Sequence, residues 1–170
     1  QMPTTIEELH EVLLAFKKED PSGSGRPIPL SFVPGSFCAN PWDLVAAYGG
    51  QADNNDHRIV IDRKAVFTAA SEAWKEGVRQ LAAWYQEGLI DSESFSQDDT
   101  AYLAKGKADT ESLGAFYWWE ATEFVGADRE GHYALCPVLK GVDGQARASV
   151  SNNQEISRGA FAMTRTCRYQ

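Results

Sequence analysis

One stretch of the chain carries most of the information about the fold: Trp84-Tyr85-Gln86-Glu87-Gly88-Leu89-Ile90-Asp91. Large apolar residues lead into it at intervals of three or four positions: Trp74, Val78, Leu81 and Tyr85. This spacing is typical of one face of an α-helix, and Gly88 is the residue type that most often ends a helix in the left-handed conformation. The stretch therefore predicts a long amphipathic helix over residues 71–87, with Trp84 beside its apolar face.

The rest of the chain predicts shorter elements on both sides of this helix. Further helices are expected over residues 5–20, 41–48 and 98–105, and strands over residues 59–61, 113–118, 132–135 and 159–164. The first helix begins with a capping box formed by Thr5 and Glu8. Asn40 is a natural cap for the second helix, which Gly49 and Gly50 stop. The sequence thus predicts a mixed α/β fold, helix-rich with short strands, in a single domain over residues 1–170.

Composition limits the classes of function. The 170 residues are 43% hydrophobic and carry a net charge of −8, so the surface repels phosphate backbones, and nucleic acid is not expected as a partner. No apolar run is long enough to span a bilayer, so direct membrane insertion by this segment is not expected. Three widely spaced cysteines, without a C-x-x-C motif, do not favour a disulfide-stapled fold or a zinc site. Both ends suggest cuts in a longer chain.

Several short sequence motifs occur in the same order as in one known protein family. They are the stretch 84–91 followed by Phe95 and Asp98, and also Pro3-Thr4-Thr5, Ala15-Phe16-Lys17, Asp20-Pro21-Ser22-Gly23-Ser24-Gly25, Ile28-Pro29-Leu30-Ser31, Lys140-Gly141-Val142-Asp143-Gly144 and Phe161-Ala162-Met163-Thr164. Each phrase alone is weak, but the ordered set covers nearly the whole chain. It resembles the carbohydrate-type extracellular solute-binding proteins of ABC transporters.

The resemblance implies a periplasmic-binding-protein-like fold of type II, in which two α/β lobes close on a sugar. This chain would form most of the second lobe and lack the first. The implied function is capture of a sugar or oligosaccharide by lobe closure, followed by delivery to a membrane permease. The implied location is extracellular or periplasmic, with a lipidated N-terminus outside this chain as anchor.

Candidate ligand contacts follow the strand predicted over residues 113–118. Trp118, Trp119 and Glu120 lie where open α/β lobes place their ligands. Indoles stack on sugar rings, and carboxylates accept hydrogen bonds from sugar hydroxyls. Adjacent strand residues point to opposite faces, so at most one of the two tryptophans should face a cleft. The alternative is that both pack in the core or at an edge.

Trp42 and Asp43 begin the short helix over residues 41–48, in a region that faces the cleft in the resembling family. Here the sequence departs widely from the family pattern. The alternative for Trp42 is that it packs a loop against the lobe.

Asp20, Ser22 and Ser24 alternate as oxygen ligands do at the start of a calcium loop. The family's acidic pair before Ile28 is missing, and one carboxylate with two hydroxyls carries too little charge for firm binding. A capped turn without a cofactor is the favoured interpretation.

Enzyme chemistry finds little support, because His10, His57 and His132 are isolated and no metal-binding or nucleophile motif occurs. A binding protein that is not an enzyme is therefore expected. Three alternatives remain open: a carbohydrate-active enzyme domain that uses an acidic pair, a binding protein for a non-sugar solute such as a peptide, and an interaction domain in which Trp118 and Trp119 are both buried.

Overall fold

The computed structural model describes residues 2–148. Its helices and strands are α1 (Ile6–Glu19), β1 (Ile28–Ser31), α2 (Trp42–Gly49), β2 (Arg58–Ile61), β3 (Lys64–Phe67), α3 (Glu72–Gln86), α4 (Asp99–Gly106), β4 (Leu113–Phe116) and α5 (Ala121–Val125). Short 3₁₀ turns cover Thr68–Ala70 and Glu130–His132. All four predicted helices are present, with bounds within two residues of the prediction, and the strand predicted over residues 159–164 lies outside the described residues.

Helix α3 begins and ends as its sequence predicts. The Ser71 side chain accepts a hydrogen bond from the Trp74 amide, and Gly88 adopts a φ of 67° just after the helix. The predicted apolar face is wrong at its C-terminal end, because Trp84 is 2% exposed whereas Tyr85 is 41% exposed. The reason is helix α1, whose His10 ring stacks on Trp84 with the ring centroids 5.3 Å apart.

Helix α2 packs closely on α3. A Cβ at Gly77 of α3 would overlap the carbonyl oxygen of Val45, and a Cβ at Gly49 would overlap that of Ala73. Glycine is therefore required at both positions for the two backbones to approach each other. Helix α2 starts one residue later than predicted, with Pro41 as its cap residue, while Asn40 accepts a hydrogen bond from the Trp42 amide at 3.4 Å.

The main strand pairing brings together distant parts of the chain. Strands β1 and β4 run parallel, with Ile28 opposite Leu113 and Leu30 opposite Ala115. On the other side of β1, Leu30 also pairs in parallel with Ile90, so the stretch 89–91 extends the sheet. Residues 84–91 thus have two structural roles. Their first part ends α3, and their last part joins the sheet beside β1.

A separate hairpin joins β2 to β3, with Ile59 opposite Val66. Strand β3 was not predicted, since its turn consists of Asp62 and Arg63, both with positive φ, in place of the usual Asn-Gly pair. The prediction of a strand over residues 132–135 is wrong, because His132 ends a 3₁₀ turn and the residues that follow it pair with no strand within residues 2–148.

Two clusters of buried side chains form the core. The larger joins α1, α2 and α3 to β1 and residues 89–90; the smaller joins β4 to α4 and α5, around Tyr102 and Phe124. Tyr102 is fully buried, and its hydroxyl lies 3.1 Å from the Ser31 carbonyl, 3.0 Å from the Tyr117 carbonyl and 2.9 Å from the Tyr117 amide, from which it accepts a hydrogen bond. One side chain therefore ties the ends of β1 and β4 together.

A buried ion pair lies beside this tie. The Asp91 carboxylate accepts hydrogen bonds from the Lys105 ammonium at 2.6 Å, from the Ser31 hydroxyl at 2.7 Å and from the Glu93 amide at 3.1 Å. Burial acts to raise the pKa of Asp91, but these hydrogen bonds outweigh it and hold the pKa below its ordinary value. The carboxylate is satisfied by the fold itself.

Candidate ligand-binding site

A cavity of about 370 Å³ opens at the carboxyl ends of β1 and β4. The loop after β1 contributes Phe37, Cys38 and Asn40 to its lining, α2 contributes Asp43, and the residue after β4 is Tyr117. Cys136, Pro137, Val138 and Ala148 complete the lining. Because the carboxyl ends of parallel strands are where open α/β sheets bind ligands, this cavity is the candidate site.

Asp43 and Tyr117 form the polar centre of the cavity. The Tyr117 hydroxyl donates a hydrogen bond of 3.3 Å to Oδ2 of Asp43, while Oδ1 is buried and has no well-oriented partner among the described residues. Burial raises the pKa of Asp43 to about 6, although the Tyr117 hydroxyl and nearby backbone amides act against it. Burial and the neighbouring carboxylate raise the pKa of Tyr117 well above its usual value. The site thus contains an acceptor that its own surroundings leave incompletely satisfied.

The two predicted tryptophans occupy different surroundings. Trp118 is half-buried and packs against Tyr102 and Phe124, with ring centroids 6.2 and 5.9 Å away. Trp119 is 61% exposed and contacts Phe37 of the cavity lining edge-on at 5.0 Å. Strand β4 ends at Phe116, so the alternation that applies within a strand does not govern this pair. The exposure of Trp119 argues against the alternative in which both tryptophans are buried.

Glu123 holds both indoles in place. It accepts a hydrogen bond from the Trp118 ring at 3.0 Å and another from the Trp119 ring. Trp119 therefore lies at the rim of the cavity in a fixed position, with one ring edge bound and much of its surface open to solvent.

Glu120 and Trp42 do not line the cavity. Glu120 is exposed at the start of α5 and makes no capping hydrogen bond. Trp42 is half-buried and contacts the His57 ring edge-on at 4.7 Å, which matches the alternative of a tryptophan that packs a loop. Of the five predicted site residues, the structure places Asp43 in the cavity and Trp119 at its rim.

The sequence analysis missed several lining residues. Tyr117 could have been found, since it lies near the carboxyl end of the strand predicted over residues 113–118. Phe37 and Cys136 lie in segments without helix or strand, and only the three-dimensional arrangement brings them to the site.

The histidines are engaged elsewhere. The His57 ring lies 2.8 Å from the buried carboxylate of Asp53, which also accepts a hydrogen bond from the Thr68 hydroxyl at 2.5 Å. The Thr68 hydroxyl binds the Asp53 carboxylate and not the His57 imidazole. In a catalytic triad the nucleophile binds the imidazole and the imidazole binds the acid, so these three residues do not form one. The cluster instead fixes the β2–β3 hairpin.

The loop that resembles a calcium site is a closed turn. Oδ1 of Asp20 accepts hydrogen bonds from the amide and hydroxyl of Ser24, at 3.1 and 2.9 Å, and Oδ2 accepts one from the Gly25 amide at 2.6 Å. These donors lower the pKa of Asp20 despite slight desolvation, the Gly25 amide most. The residues present do not fit calcium, because the loop offers a single carboxylate and both of its oxygens already accept hydrogen bonds from the Ser24 and Gly25 amides. Across residues 2–148 no group of three or more acidic, histidine or cysteine side chains converges as a metal site.

Across residues 2–148, no helix combines the length and apolar character needed to cross a membrane.

Comparison with known proteins finds curated relatives over much of the chain. The chain is 36% identical over 167 residues to the fructooligosaccharide ABC transporter substrate-binding protein FusA of Streptococcus pneumoniae, an alignment that covers 96% of this chain and 30% of FusA. It is 26% identical over 114 residues to lipoprotein LipO of Bacillus subtilis, covering 63% of this chain and 22% of LipO. No protein-family model matches the chain.

Solved structures agree. The structure of FusA in complex with kestose superposes with a TM-score of 0.79 at 37% identity, covering 89% of this chain and 30% of FusA. An extracellular solute-binding protein from Bifidobacterium longum subsp. infantis superposes with a TM-score of 0.70 at 24% identity, covering 88% of this chain and 33% of that protein. FusA has also been studied as an EF-hand mutant in complex with fructo-nystose. The chain thus spans about a third of the length of these proteins, and the likeness confirms the predicted α/β fold class.

Proposed function

Since the chain is homologous to part of the carbohydrate-type extracellular solute-binding proteins of ABC transporters, we propose that it forms most of the second lobe of such a protein. The complete protein captures an oligosaccharide between two lobes by hinge closure and delivers it to a membrane permease. Capture involves no covalent chemistry. The first lobe and the anchor belong to parts of the protein outside this chain.

The observation that carries this proposal is the composition of the cavity at the ends of β1 and β4. The lining combines the exposed Phe37 with the incompletely satisfied Asp43 carboxylate, and the exposed Trp119 contacts Phe37 at the rim. Flat apolar ring faces of a sugar stack on indoles, and its hydroxyls donate hydrogen bonds to carboxylates. A volume of about 370 Å³ falls within the usual range of small-molecule pockets, and closure by a second lobe would enlarge the contact.

The residues of the site have distinct proposed roles. Trp119 stacks on a sugar ring, and Asp43 accepts a hydrogen bond from a hydroxyl. Glu120 lies next to Trp119 on the exposed side and contacts sugar units that extend beyond the cavity. Trp118 and Trp42 support the site from behind, since both pack within the lobe.

Fructooligosaccharides are the first candidates for the ligand. FusA is named for them and was crystallised with kestose. Binding without catalysis is supported by the part of the lining that residues 2–148 form, which contains a single carboxylate, whereas glycoside hydrolysis ordinarily needs a pair of them. An extracellular location with a lipid anchor outside this chain is supported by the kinship with LipO, a lipoprotein.

Isothermal titration calorimetry of the complete two-lobed protein with kestose and nystose tests the proposal. We expect saturable binding, and at least a tenfold loss of affinity in Trp119→Ala. Phe67→Ala is the matched control, because Phe67 is similarly exposed at 55% but lies on the β2–β3 hairpin. Its affinity should equal that of the unmodified protein.

The same mixtures are analysed by chromatography for cleaved sugar. Failure of every oligosaccharide in a broad panel to bind would contradict the proposal, and turnover of a glycan would replace it with the enzyme alternative.

A further inference from the structure

We propose that Asp43, oriented by Tyr117, makes this site select neutral, hydroxyl-rich ligands and reject anionic ones such as phosphorylated or uronic-acid sugars. The inference rests on the proposed function, and it narrows the ligand from oligosaccharides in general to those without negative charge near the Asp43 end.

The charges around the cavity support the selectivity. Among residues 2–148, the cavity lining includes the Asp43 carboxylate and no lysine, arginine or histidine. Arg147 precedes the lining residue Ala148, but its guanidinium is held by both carboxylate oxygens of Asp143, at 2.8 and 2.6 Å. Glu123, at the rim, adds a further negative charge. An anionic group that entered would lose its hydration and meet a like charge without a compensating cation.

The orientation of Asp43 supports the preference for hydroxyl donors. Tyr117 occupies Oδ2 and is itself fixed, because Tyr102 binds its backbone at both the amide and the carbonyl. Among residues 2–148, Oδ1 has no well-oriented donor, and leaving such a group unpaired is unfavourable. Because Asp43 lines the cavity, a ligand hydroxyl there meets a carboxylate that its own surroundings leave incompletely satisfied. A ligand phosphate or carboxylate has no proton to donate there.

The test compares kestose with a kestose monophosphate on the complete two-lobed protein by calorimetry at pH 7.5. We expect kestose to bind at least a hundredfold more tightly than the monophosphate. Asp43→Asn should weaken kestose binding and reduce this ratio at least tenfold. Tyr117→Phe should weaken kestose binding less, since the carboxylate remains but loses its orienting partner.

Asp109→Asn is the matched control, because it removes the same charge from an exposed position outside the cavity lining. Its ratio should equal that of the unmodified protein, which separates a local effect of Asp43 from the overall net charge.

Equal affinities of the unmodified protein for both sugars would overturn the inference and leave the proposed function standing. The inference would also be overturned if Asp43→Asn, with a native circular dichroism spectrum, had the same ratio of kestose to monophosphate affinity as Asp109→Asn. Absence of binding to kestose and to every other oligosaccharide would overturn the proposed function together with the inference.

Discussion

Asp43 and Asp91 both have carboxylates withdrawn from solvent, but the pKa of Asp43 is raised and that of Asp91 is lowered. Asp91 receives an ammonium, a hydroxyl and an amide at 2.6 to 3.1 Å, and its pKa falls below the ordinary value. Asp43 receives one phenolic hydroxyl at 3.3 Å, and its pKa rises to about 6. Burial raises the pKa of both carboxyl groups, and only at Asp91 do the hydrogen-bond donors outweigh it.

The comparison separates a structural carboxylate from one available to a ligand. A carboxylate whose acceptors are filled by its own chain stabilises the fold and has little left to offer a ligand. A carboxylate with an open acceptor reduces the stability of the free protein, and a ligand that donates a hydrogen bond recovers that loss. Asp91 is of the first kind, and the proposed function places Asp43 in the second.

The largest expected effect comes from breaking the Asp91 cluster with Lys105→Ala. Removal of the ammonium leaves a buried carboxylate with its charge uncompensated, which should lower the free energy of unfolding by about 3 kcal/mol. Urea denaturation measures the change. The exposed Lys107 provides the control, since Lys107→Ala should shift the free energy of unfolding by less than about 0.5 kcal/mol. Equal losses in both variants would mean that the ion pair is not structural.

The pH dependence of stability should have opposite signs for the two carboxylates. Because the pKa of Asp43 is raised in the folded protein, its contribution is full below pH 4 and is lost as the pH rises through about 6. Because the pKa of Asp91 is lowered, its contribution is present above pH 4 and is lost as the pH falls further.

Denaturation curves of the unmodified protein and of Asp43→Asn, collected from pH 4 to 7.5, isolate the Asp43 effect. Relative to the variant, the unmodified protein should lose about 2 kcal/mol as the pH rises over this range. A series with Asp91→Asn, extended below pH 4, should show the reverse trend, because the unmodified protein loses stability relative to that variant as the pH falls. Curves for Asp43→Asn that run parallel to those of the unmodified protein would show that Asp43 is not desolvated in the folded state.

The smallest expected effect comes from Tyr117→Phe, which removes the side-chain hydrogen bond that the described residues show to the Asp43 carboxylate. The free energy of unfolding at pH 7.5 should fall by about 1 kcal/mol, and the pKa of Asp43 should rise further. Carbon-detected NMR titration of the carboxyl group reports the pKa. Tyr85→Phe is the control, because the Tyr85 hydroxyl makes an exposed bond of 3.3 Å to the Ser92 carbonyl and should contribute little. A pKa of Asp43 that is unchanged in Tyr117→Phe would rule out the hydrogen bond as its partner.

Local signals predicted the helices well. The capping box of Thr5 and Glu8 and the glycine that follows α3 both act within a few residues of the helix ends, so the sequence contains the needed information. The side assigned to Trp84 was wrong because the partner helix α1 determines which face is buried, and its position depends on contacts about 75 residues away, such as that with His10.

The site was predictable in part. The carboxyl end of the strand over residues 113–118 indicated the correct edge of the sheet, and Asp43 lies in the cavity found there. The remainder of the lining depends on the parallel pairing of β1 with β4 and on the course of residues 136–138, which have no periodic pattern. Such contacts follow from tertiary packing and leave no signature in a single sequence.

The tie made by Tyr102 has a consequence for the thermodynamics of ligand capture. By anchoring the ends of both strands with one buried hydroxyl, it preorganises the floor of the cavity during folding, before any ligand arrives. The conformational entropy of that floor is therefore already lost in the folded chain. Under the proposed function, ordering on capture is confined to the rim and to the movement of one lobe towards the other, with this chain as the rigid part.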